Sequence, residues 1–282
     1  MTEATTRLLR QVRERLAAAG IDSAAAEAYL LIEAATGLDR MALLTGSGPA
    51  SAAQLERLEG LLKRRENREP LQLIVGHAHF HDLQLEVAPG VLIPRPETEV
   101  LVELALKRLK LLAAPAVIDV GPGSGAIALS IAKARPDATV LATDVSPAAL
   151  ELAGRNAARL GLDVAFRQAD LLGGLGEAAG LDLLVSNPPY LPDSDRAELS
   201  PEVRQDPELA LFAGEDGLGI FRRLLRQAGE LLKPGAAVLL ELDSRNVRQA
   251  AAEAQAGPWE QVRVLPDLTG RERFLEMVKS QS

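Results

Sequence analysis

The sequence contains no cysteine among its 282 residues. This absence excludes a disulfide framework, a zinc–thiolate site and a thiol nucleophile. No window approaches the roughly 18 to 20 apolar residues that a membrane-spanning helix needs, and the first residues, MTEATTRLLRQ, lack the apolar core of a signal peptide. We therefore expect a soluble, cytoplasmic protein that makes no contact with a membrane.

The chain also lacks an excess of positive charge. Its 31 lysines and arginines stand against 39 aspartates and glutamates, which gives a net charge of −8. A dedicated nucleic-acid-binding protein usually carries a basic face and a high isoelectric point. Nucleic acid is therefore not expected as a substrate, although a local basic patch stays compatible with this composition.

The amino-terminal part of the chain has helical periodicity. Leu8, Val12 and Leu16 recur at helical spacing. Ser51 begins a capping-box pattern, S-x-x-Q, ahead of another apolar run. Short helices with short connections predict a small helical bundle at 1–72. This segment shows no pattern of catalytic residues. We therefore interpret the bundle either as a packing module or as a module that recognises a partner.

Residues 73–95 predict a β-hairpin and linker. HAHFHDLQLEV alternates like a strand, with Leu83, Leu85 and Val87 on one face. The proline-rich stretch PGVLIPRPETE follows as linker and turn. Helical periodicity then returns at LVELALKRLKLL.

All three histidines of the chain lie within this strand-like stretch. A spacing of two would place His77, His79 and His81 on one strand face, an arrangement that could hold a metal. No cysteine and no second cluster of ligands accompanies them. We therefore interpret them as a solvated or partly buried strand face and expect no metal site.

From residue 96 to 282 the order of strands and helices is typical of a doubly wound α/β domain. Five strands are expected at 116–120, 139–145, 163–170, 181–187 and 235–242. The last stretch, 259–279, predicts two more strands joined by a turn that contains Gly270. The expected fold is thus α/β, with a mostly parallel sheet closed by a hairpin.

A glycine-rich turn follows the first of these strands. IDVGPGSGAIALSIA places Gly121, Gly123 and Gly125 between a strand and a helix. Glycine allows a tight turn and a close approach of the backbone to a ligand, and the start of a helix offers unpaired N–H groups. Asp144 ends the second strand, about 20 residues further on, where an acidic side chain commonly holds ribose hydroxyls.

The glycine spacing separates two kinds of cofactor. A dinucleotide fingerprint is G-x-G-x-x-G, whereas this turn has the tighter spacing and an alanine at position 126. Pyrophosphate would favour basic neighbours, yet Asp119 lies just upstream. A cationic sulfonium tolerates an acidic neighbourhood better, so S-adenosylmethionine, with S-adenosylhomocysteine as its product, is the better candidate.

A second motif ends the strand LDLLVSN. Pro188 and Pro189 terminate the strand because neither can donate a ladder hydrogen bond. Asn187 is thereby held at the carboxyl end of a core strand, where ligands bind in open α/β sheets. Its side-chain oxygen and the Pro188 carbonyl could accept both hydrogens of a planar NH2 group, at about 2.7–3.2 Å. The Tyr190 ring could stack on that group.

The combination of NPPY with an upstream G-x-G-x-G turn resembles the methyltransferases that modify planar NH2 groups. Three further stretches, LIPRPETE (92–99), DPELALFAGEDGLG (206–219) and LTGRERFLE (268–276), resemble one branch of them. That branch is the bacterial release-factor glutamine methyltransferases, the HemK/PrmC family. The similarity extends over nearly the whole chain.

The resemblance implies N5-methylation of the glutamine in the Gly-Gly-Gln motif of class I peptide-release factors. It implies a seven-stranded, Rossmann-like class I methyltransferase domain, with the helical bundle engaging the substrate protein. Two alternatives stay open at this point. One is glutamine methylation of a ribosomal protein, and the other is N6-adenine or N4-cytosine methylation of nucleic acid. A non-catalytic cofactor-binding scaffold is disfavoured because both motifs are intact.

The resemblance also assigns roles to individual residues. Asn187, Pro188 and Tyr190 would be the catalytic residues. The cofactor would be bound by Gly121, Pro122, Gly123, Ser124, Gly125, Asp144, Asp170, Leu171 and Asn187. The substrate glutamine would be held by Asn187, Pro188, Pro189, Tyr190, Phe80, Arg95 and Glu97, with Pro96 in the same loop. One departure from the family pattern is LDSRN (242–246), which follows VLLE (238–241) in place of an isoleucine-glycine pair.

Overall fold

The computed structural model describes residues 3–45, 50–176 and 180–281. Over these residues the chain divides into two compact units. The first is Met1–His77 with Ser200–Gln205, and the second is Ala78–Leu199 with Asp206–Ser282. Most of the expected hairpin and linker, 73–95, therefore belongs to the second unit, which begins at Ala78. The segment Ser200–Gln205, although later in the chain, belongs to the first unit. Residues 1, 2 and 46–49 of the expected bundle lie outside the described residues.

The first unit is helical, as its periodicity predicts. Its helices are Glu3–Ala18 (α1), Ala24–Thr36 (α2), Arg40–Thr45 (α3), Ala52–Glu66 (α4) and Leu71–Val75 (α5). The capping box at the start of α4 is confirmed. Ser51 Oγ accepts a hydrogen bond from Gln54 N at 3.3 Å, and Gln54 Oε1 accepts one from Ser51 N at 2.8 Å.

A single apolar cluster lies between α1, α2 and α4. Val12 and Leu16 of α1 are buried in it together with Leu31 of α2 and Leu58 of α4. Leu8 is only partly buried and packs at its edge. Burial of the apolar side chains provides the main stabilisation of a helical bundle of this size.

One arginine is buried inside this unit. The Arg65 guanidinium on α4 is 2.6 Å from Glu27 of α2 and 2.9 Å from Glu202. Glu202 belongs to the later segment that joins this unit, and Arg68 binds it as well, at 2.7 Å. These hydrogen bonds hold the pKa of the Glu202 carboxyl at about 2, against the raising effect of burial. The segment is thus attached to the helices by charge-assisted hydrogen bonds.

The stretch HAHFHDLQLEV forms two short strands with a turn between them. Strands His77–Phe80 (β1) and Leu83–Glu86 (β2) pair with each other. His81 lies in the turn with a φ of +54°, and its Nε2 is 2.7 Å from Glu103 Oε1. The expectation that the three histidines share one strand face is therefore wrong, because the chain reverses at the third of them.

The second unit contains the predicted seven-stranded sheet. Its strands are Ala116–Val120 (β3), Thr139–Asp144 (β4), Ala165–Gln168 (β5), Leu183–Ser186 (β6), Ala237–Glu241 (β7), Trp259–Pro266 (β8) and Glu272–Lys279 (β9). Their order across the sheet is β5-β4-β3-β6-β7-β9-β8. The first five are parallel, whereas β9 runs antiparallel to β7 and β8. The expected terminal hairpin thus closes the sheet.

Helices accompany this sheet and contribute to two core clusters. They are Thr98–Leu109 (α6), Ala126–Ala134 (α7), Pro147–Leu160 (α8), Gly219–Leu231 (α9) and Val247–Gln255 (α10). Residues of α6 and α7 are buried in one cluster, and residues of α9 and α10 are buried in the other. Two buried faces explain why β3, β6 and β7 are mostly apolar, with Asp119, Ser186 and Glu241 as their polar residues. Within the described ranges, no helix is both long and apolar enough to cross a bilayer.

Replacing Arg65 with methionine should lower the free energy of unfolding by about 3–5 kcal/mol, because Glu27 would stay buried without its charge partner. The matched control is Arg64→Met on the same helix. Arg64 pairs with Glu69 nearer the surface, so its loss should change that free energy by at most about 1 kcal/mol. Urea denaturation followed by circular dichroism measures both. Equal small losses would contradict a structural role for Arg65.

Candidate active site

The topology of the sheet creates a crevice between β3 and β6. In the sheet, β4 lies next to β3 on the side away from β6, and β7 lies next to β6 on the side away from β3. Ligands bind at the carboxyl ends of parallel strands where the direction of the winding changes in this way. A cavity of about 370 Å³ opens at this edge, within the second unit. Its volume is in the ~300–1,000 Å³ range of small-molecule pockets.

Most of the residues expected at the site line this one cavity. They are Phe80, Arg95, Gly121, Pro122, Gly123, Ser124, Asp144, Asp170, Leu171, Asn187, Pro188 and Pro189. Four expected residues lie outside the lining: Pro96, Glu97, Gly125 and Tyr190. Pro96 and Glu97 are exposed because they lead into α6, and Glu97 occupies its N-cap position.

The glycine turn after β3 needs backbone conformations that other residues avoid. Gly121, Gly123 and Gly125 have φ values of +76°, +57° and +90°. Gly125 allows close packing, because a Cβ there would lie 2.9 Å from Leu129 Cδ1 and 3.3 Å from Ala153 Cβ. The turn can therefore bring its backbone to the cavity while α7 stays packed against α8.

Asp144 joins the turn to the end of β4. Its Oδ1 accepts a hydrogen bond from Ser146 N at 2.9 Å, and its Oδ2 accepts a longer one from Gly123 N at 3.4 Å. Burial raises the pKa of this carboxyl, while these backbone donors lower it. The carboxylate is fixed in direction and lines the cavity, so it can accept further hydrogen bonds from a ligand diol.

The end of β5 supplies another wall of the cavity. Asp170 and Leu171 line it, and Leu171 has a φ of +57°. The Thr143 hydroxyl donates to the Leu171 carbonyl at 2.9 Å and so holds this bend. Asp170 also pairs with Arg223 at 2.5 Å. The wall thus offers an apolar side chain next to a neutralised ion pair.

The turn after β6 carries the two oxygens, Asn187 Oδ1 and the Pro188 carbonyl, that are expected to bind a planar NH2 group. Asn187 Nδ2 donates to Thr98 Oγ1 at 3.1 Å. Within the described part of the chain, no donor binds Asn187 Oδ1 or the Pro188 carbonyl. The Ser186 hydroxyl donates to the Val120 carbonyl at 2.5 Å and ties this turn to β3. Two acceptor oxygens are therefore available beside the glycine turn.

Tyr190 lies outside the cavity lining. Its ring packs against the core cluster that α9 and α10 share, and burial raises the pKa of its hydroxyl well above the ordinary value. Its carbonyl accepts a hydrogen bond from Asn246 Nδ2 at 3.2 Å. A Cβ at Gly217 would lie only 2.2 Å from that carbonyl oxygen. The Tyr190 ring is therefore partly buried, and its carbonyl is held by Asn246.

Several residues of the site were missed by the sequence analysis. Asp206 binds Arg95 and accepts a hydrogen bond from Ile93 N, so it holds the loop before α6. Thr98 and Asn246 hold the turn after β6. Asp206 and Thr98 lie within stretches that carry the family resemblance, whereas Asn246 lies in the stretch noted as a departure. Nothing in the sequence indicates these pairings.

The cavity fits an adenosine-type sulfonium better than a pyrophosphate. Both arginines that line it are already paired with carboxylates, Arg95 with Asp206 and Arg223 with Asp170. Next to the glycine turn, Asp119 is completely buried, and its Oδ1 has no partner among the described residues. Burial raises the pKa of Asp119 to about 7. Such a neighbourhood opposes phosphate and tolerates a cation.

Replacing Asp144 with alanine should weaken binding of S-adenosylmethionine about 10- to 100-fold, because a charge-assisted hydrogen bond contributes roughly 1.5–3 kcal/mol. Isothermal titration calorimetry measures this affinity directly. The control is Asp163→Ala, since Asp163 is exposed and lies outside the cavity lining. An unchanged affinity in the Asp144 variant would contradict the assignment of this carboxylate to the cofactor.

Solved methyltransferase structures share the fold over about 70% of the chain. The catalytic domain of hMettl16, in complex with the MAT2A 3′UTR hairpin 6, is 16% identical, with a TM-score of 0.57. The match covers 70% of this chain and 75% of that one. A methyltransferase from Pyrococcus furiosus is 21% identical, with a TM-score of 0.51, over 70% of this chain and 88% of that one. These likenesses establish the methyltransferase fold alone.

Two family models match the chain. The PrmC N-terminal domain matches residues 7–76, and the methyltransferase small domain matches residues 96–202. The first match coincides with the described helical unit, apart from its later segment. The second contains the glycine turn, Asp144 and the turn at Asn187.

Curated relatives extend the similarity to nearly the full length. A release factor glutamine methyltransferase of Deinococcus radiodurans is 49% identical over 95% of this chain and 96% of that protein. Proteins of the same name from Moorella thermoacetica and Geobacter sulfurreducens are 43% and 44% identical, over 94% and 84% of this chain. They are covered over 95% and 83% of their own lengths. The chain belongs to the release factor glutamine methyltransferase family.

Proposed function

We propose that this protein transfers a methyl group from S-adenosylmethionine to the side-chain amide nitrogen of the glutamine in the Gly-Gly-Gln motif of class I release factors. The observation that carries this proposal is the pair of acceptor oxygens at Asn187 and Pro188, beside a cavity that suits the cofactor. The names of the curated relatives support the same reaction. When bound, the cofactor supplies an electrophilic methyl group on a positively charged sulfur.

An amide nitrogen is a weak nucleophile because its lone pair is delocalised into the carbonyl. Two acceptors can compensate in part by fixing both hydrogens of the NH2 group and thus the direction of the nitrogen. Asn187 Oδ1 and the Pro188 carbonyl are the available acceptors, and neither has another donor among the described residues. Orientation and fixed dipoles of this kind can lower a barrier by several kcal/mol.

The cofactor would be held by residues that are already fixed in place. The glycine turn offers backbone N–H groups, Asp144 offers acceptors for the ribose hydroxyls, and Asp170 with Leu171 borders the base. The buried carboxyl of Asp119 lies next to the turn, and above its raised pKa of about 7 it adds negative potential there. None of these groups needs to move far to make these contacts.

The roles of the remaining residues differ with their positions. Phe80 and Arg95 line the cavity and can contact the substrate glutamine or its neighbours. Pro188 and Pro189 give the turn its stiffness. Tyr190 packs part of its ring against the core next to this turn, and its exposed part can stack on the planar acceptor group. Glu97 is exposed, and we assign it to the start of α6.

The helical unit is the candidate for recognition of the protein substrate. Its matching family model is a domain of this enzyme family, and within its described residues no group of three or more His, Cys, Asp or Glu side chains could hold a metal ion. A separate module fits a reaction whose substrate is a folded protein, because affinity can come from a surface remote from the reacting amide.

The proposal is tested with methyl-labelled S-adenosylmethionine and four acceptors offered separately. These are a class I release factor, the same factor with its Gly-Gly-Gln glutamine changed to glutamate, a ribosomal protein mixture and duplex DNA. We expect label on the unmodified release factor alone. Label on the ribosomal proteins or on DNA, and none on the factor, would overturn the proposal.

Replacing Asn187 with alanine should reduce kcat by about 100-fold or more, because one of the two acceptors is lost. Calorimetry should show an affinity for S-adenosylmethionine within about threefold of the unmodified enzyme, since the cofactor contacts stay in place. The exposed Asn67 provides a control, and Asn67→Ala should leave both quantities unchanged. Equal losses of affinity and kcat would show that Asn187 acts mainly on the cofactor.

A further inference from the structure

The asparagine at the start of α10 does not cap its own helix. Asn246 occupies the N-cap position of α10, where a side-chain oxygen ordinarily accepts a hydrogen bond from the first turn, yet its side chain makes no such bond. The residue is 7% exposed, and its Oδ1 has no partner within the part of the chain that the structure describes. The side chain thus gives up the stabilisation of a helix cap and is directed elsewhere.

The amide of Asn246 binds two backbone carbonyls instead. Its Nδ2 donates to Tyr190 O at 3.2 Å and, over a longer distance, to Asp216 O at 3.4 Å. A carbonyl can only accept a hydrogen bond, so the NH2 end of the amide faces both of them and both of its hydrogens are used. Asn246 therefore connects the turn after β6 with the loop that precedes α9.

A glycine of that loop packs on the same carbonyl. Gly217 has a φ of +72°, and a Cβ there would collide with the Tyr190 carbonyl oxygen and lie 2.9 Å from Asn246 Nδ2. Gly214 has a φ of +88°, but a Cβ on it would meet nothing within 4 Å. Both glycines satisfy a backbone requirement, whereas Gly217 is also needed for space beside the carbonyl.

The backbone just after this carbonyl pairs with the same loop. Leu191 N donates to Leu211 O at 2.9 Å, and Ala213 N donates to Leu191 O at 2.9 Å. Before the turn, the Ser186 hydroxyl donates to the Val120 carbonyl. The turn is therefore fixed on both sides.

These contacts restrict a rotation that the two prolines leave open. Their rings fix φ at Pro188 and Pro189 but not ψ, and the Pro188 carbonyl turns with the ψ of its own residue. Holding the carbonyl of Tyr190, only two residues further on, limits this rotation. The Pro188 carbonyl is the acceptor to which the proposed reaction assigns one hydrogen of the substrate NH2 group.

We propose that Asn246 and Gly217 are positioning residues for methyl transfer. They hold the Tyr190 carbonyl and thereby direct the Pro188 carbonyl to the substrate amide. This inference rests on the proposed function, since it concerns the same acceptor. Neither positioning residue lines the cavity, so both act through the turn, and their loss affects kcat and not the affinity for the cofactor.

Asn246→Ser tests the amide. Serine has no NH2 group to bind both carbonyls, but it is a favourable N-cap residue for α10, so the Tm should stay near that of the unmodified enzyme. We expect kcat for methylation of the release factor to fall about 10- to 100-fold, because a misplacement of about 1 Å can have such an effect. The affinity for S-adenosylmethionine, measured by calorimetry, should stay within about threefold. An unchanged kcat, or an equal loss of kcat and cofactor affinity, would overturn the proposal.

Gly217→Ala and its matched control Gly214→Ala separate displacement of the carbonyl from backbone strain. Both substitutions place a side chain at a positive φ and share that strain. Only Gly217→Ala also displaces the Tyr190 carbonyl, so its kcat should be lower than that of Gly214→Ala by about tenfold or more. Calorimetric binding of the cofactor verifies that each variant is folded, and Asn246→Ser decides if Gly217→Ala does not fold. Equal kcat values in the two folded alanine variants would contradict the proposal.

Hydrogen exchange reports the turn in the absence of any reaction. The Leu191 N–H is bonded to Leu211 O, and in Asn246→Ser it should exchange about tenfold faster or more, because local opening becomes easier. The amides in the centre of β3 provide the reference and should keep their rates. An unchanged rate at Leu191 would show that Asn246 does not hold the turn.

The outcomes separate this inference from the proposed function. If the unmodified enzyme labels no release factor, the proposed function fails, and hydrogen exchange alone decides whether Asn246 holds the turn. If the unmodified enzyme labels the factor and Asn246→Ser does so at the same kcat, the proposed function stands and the positioning role is refuted.

Discussion

The parallel pairing of β3 with β6 is the constraint on which the site depends. Val117 lies opposite Leu183, and Asp119 lies opposite Val185, two residues before Asn187. Because the strands are parallel, both end at the same edge of the sheet, and the glycine turn comes to lie beside the asparagine. The cofactor methyl and the acceptor nitrogen must meet within a few ångströms, so a shift in this register would separate them. The continuous burial of β6 makes such a shift unfavourable.

Pairing of the strands sets the positions of the site residues. The directions of their hydrogen-bonding groups are set by side chains on neighbouring elements. Asn187 is oriented through Thr98 on α6, and the carbonyl of Tyr190 is held by Asn246. These contacts come from elements far apart in the chain that meet only in the folded sheet. A stiff turn with two prolines limits backbone freedom, but it leaves the rotation of the asparagine amide undetermined. The backbone turn therefore sets the position of Asn187, and side-chain hydrogen bonds set the orientation of its amide group.

The sequence predicted the features that depend on local pattern and chain order. The seven strands, the terminal hairpin and the capping box follow from periodicity and turn residues, and Asp144 follows from its distance to the glycine turn. Contacts across the sheet could not be predicted in this way. Thr98 and Asn187 are 89 positions apart, and only the strand order brings them together. The expected contact of Tyr190 with the substrate stays a prediction, whereas the partial burial of its ring against the cluster shared by α9 and α10 could not be predicted from its residue type.

The electrostatics of the cavity fit a neutral amide as the acceptor. Enzymes that act on a flipped base bind the flanking phosphates with lysine and arginine side chains. Here Arg95 and Arg223 line the cavity, but each is paired with an aspartate. Binding a phosphate through Arg95 would leave Asp206, which is largely buried, without its partner. A neutral glutamine side chain can bind without breaking either ion pair. It requires two acceptors of fixed direction, and the turn after β6 supplies them.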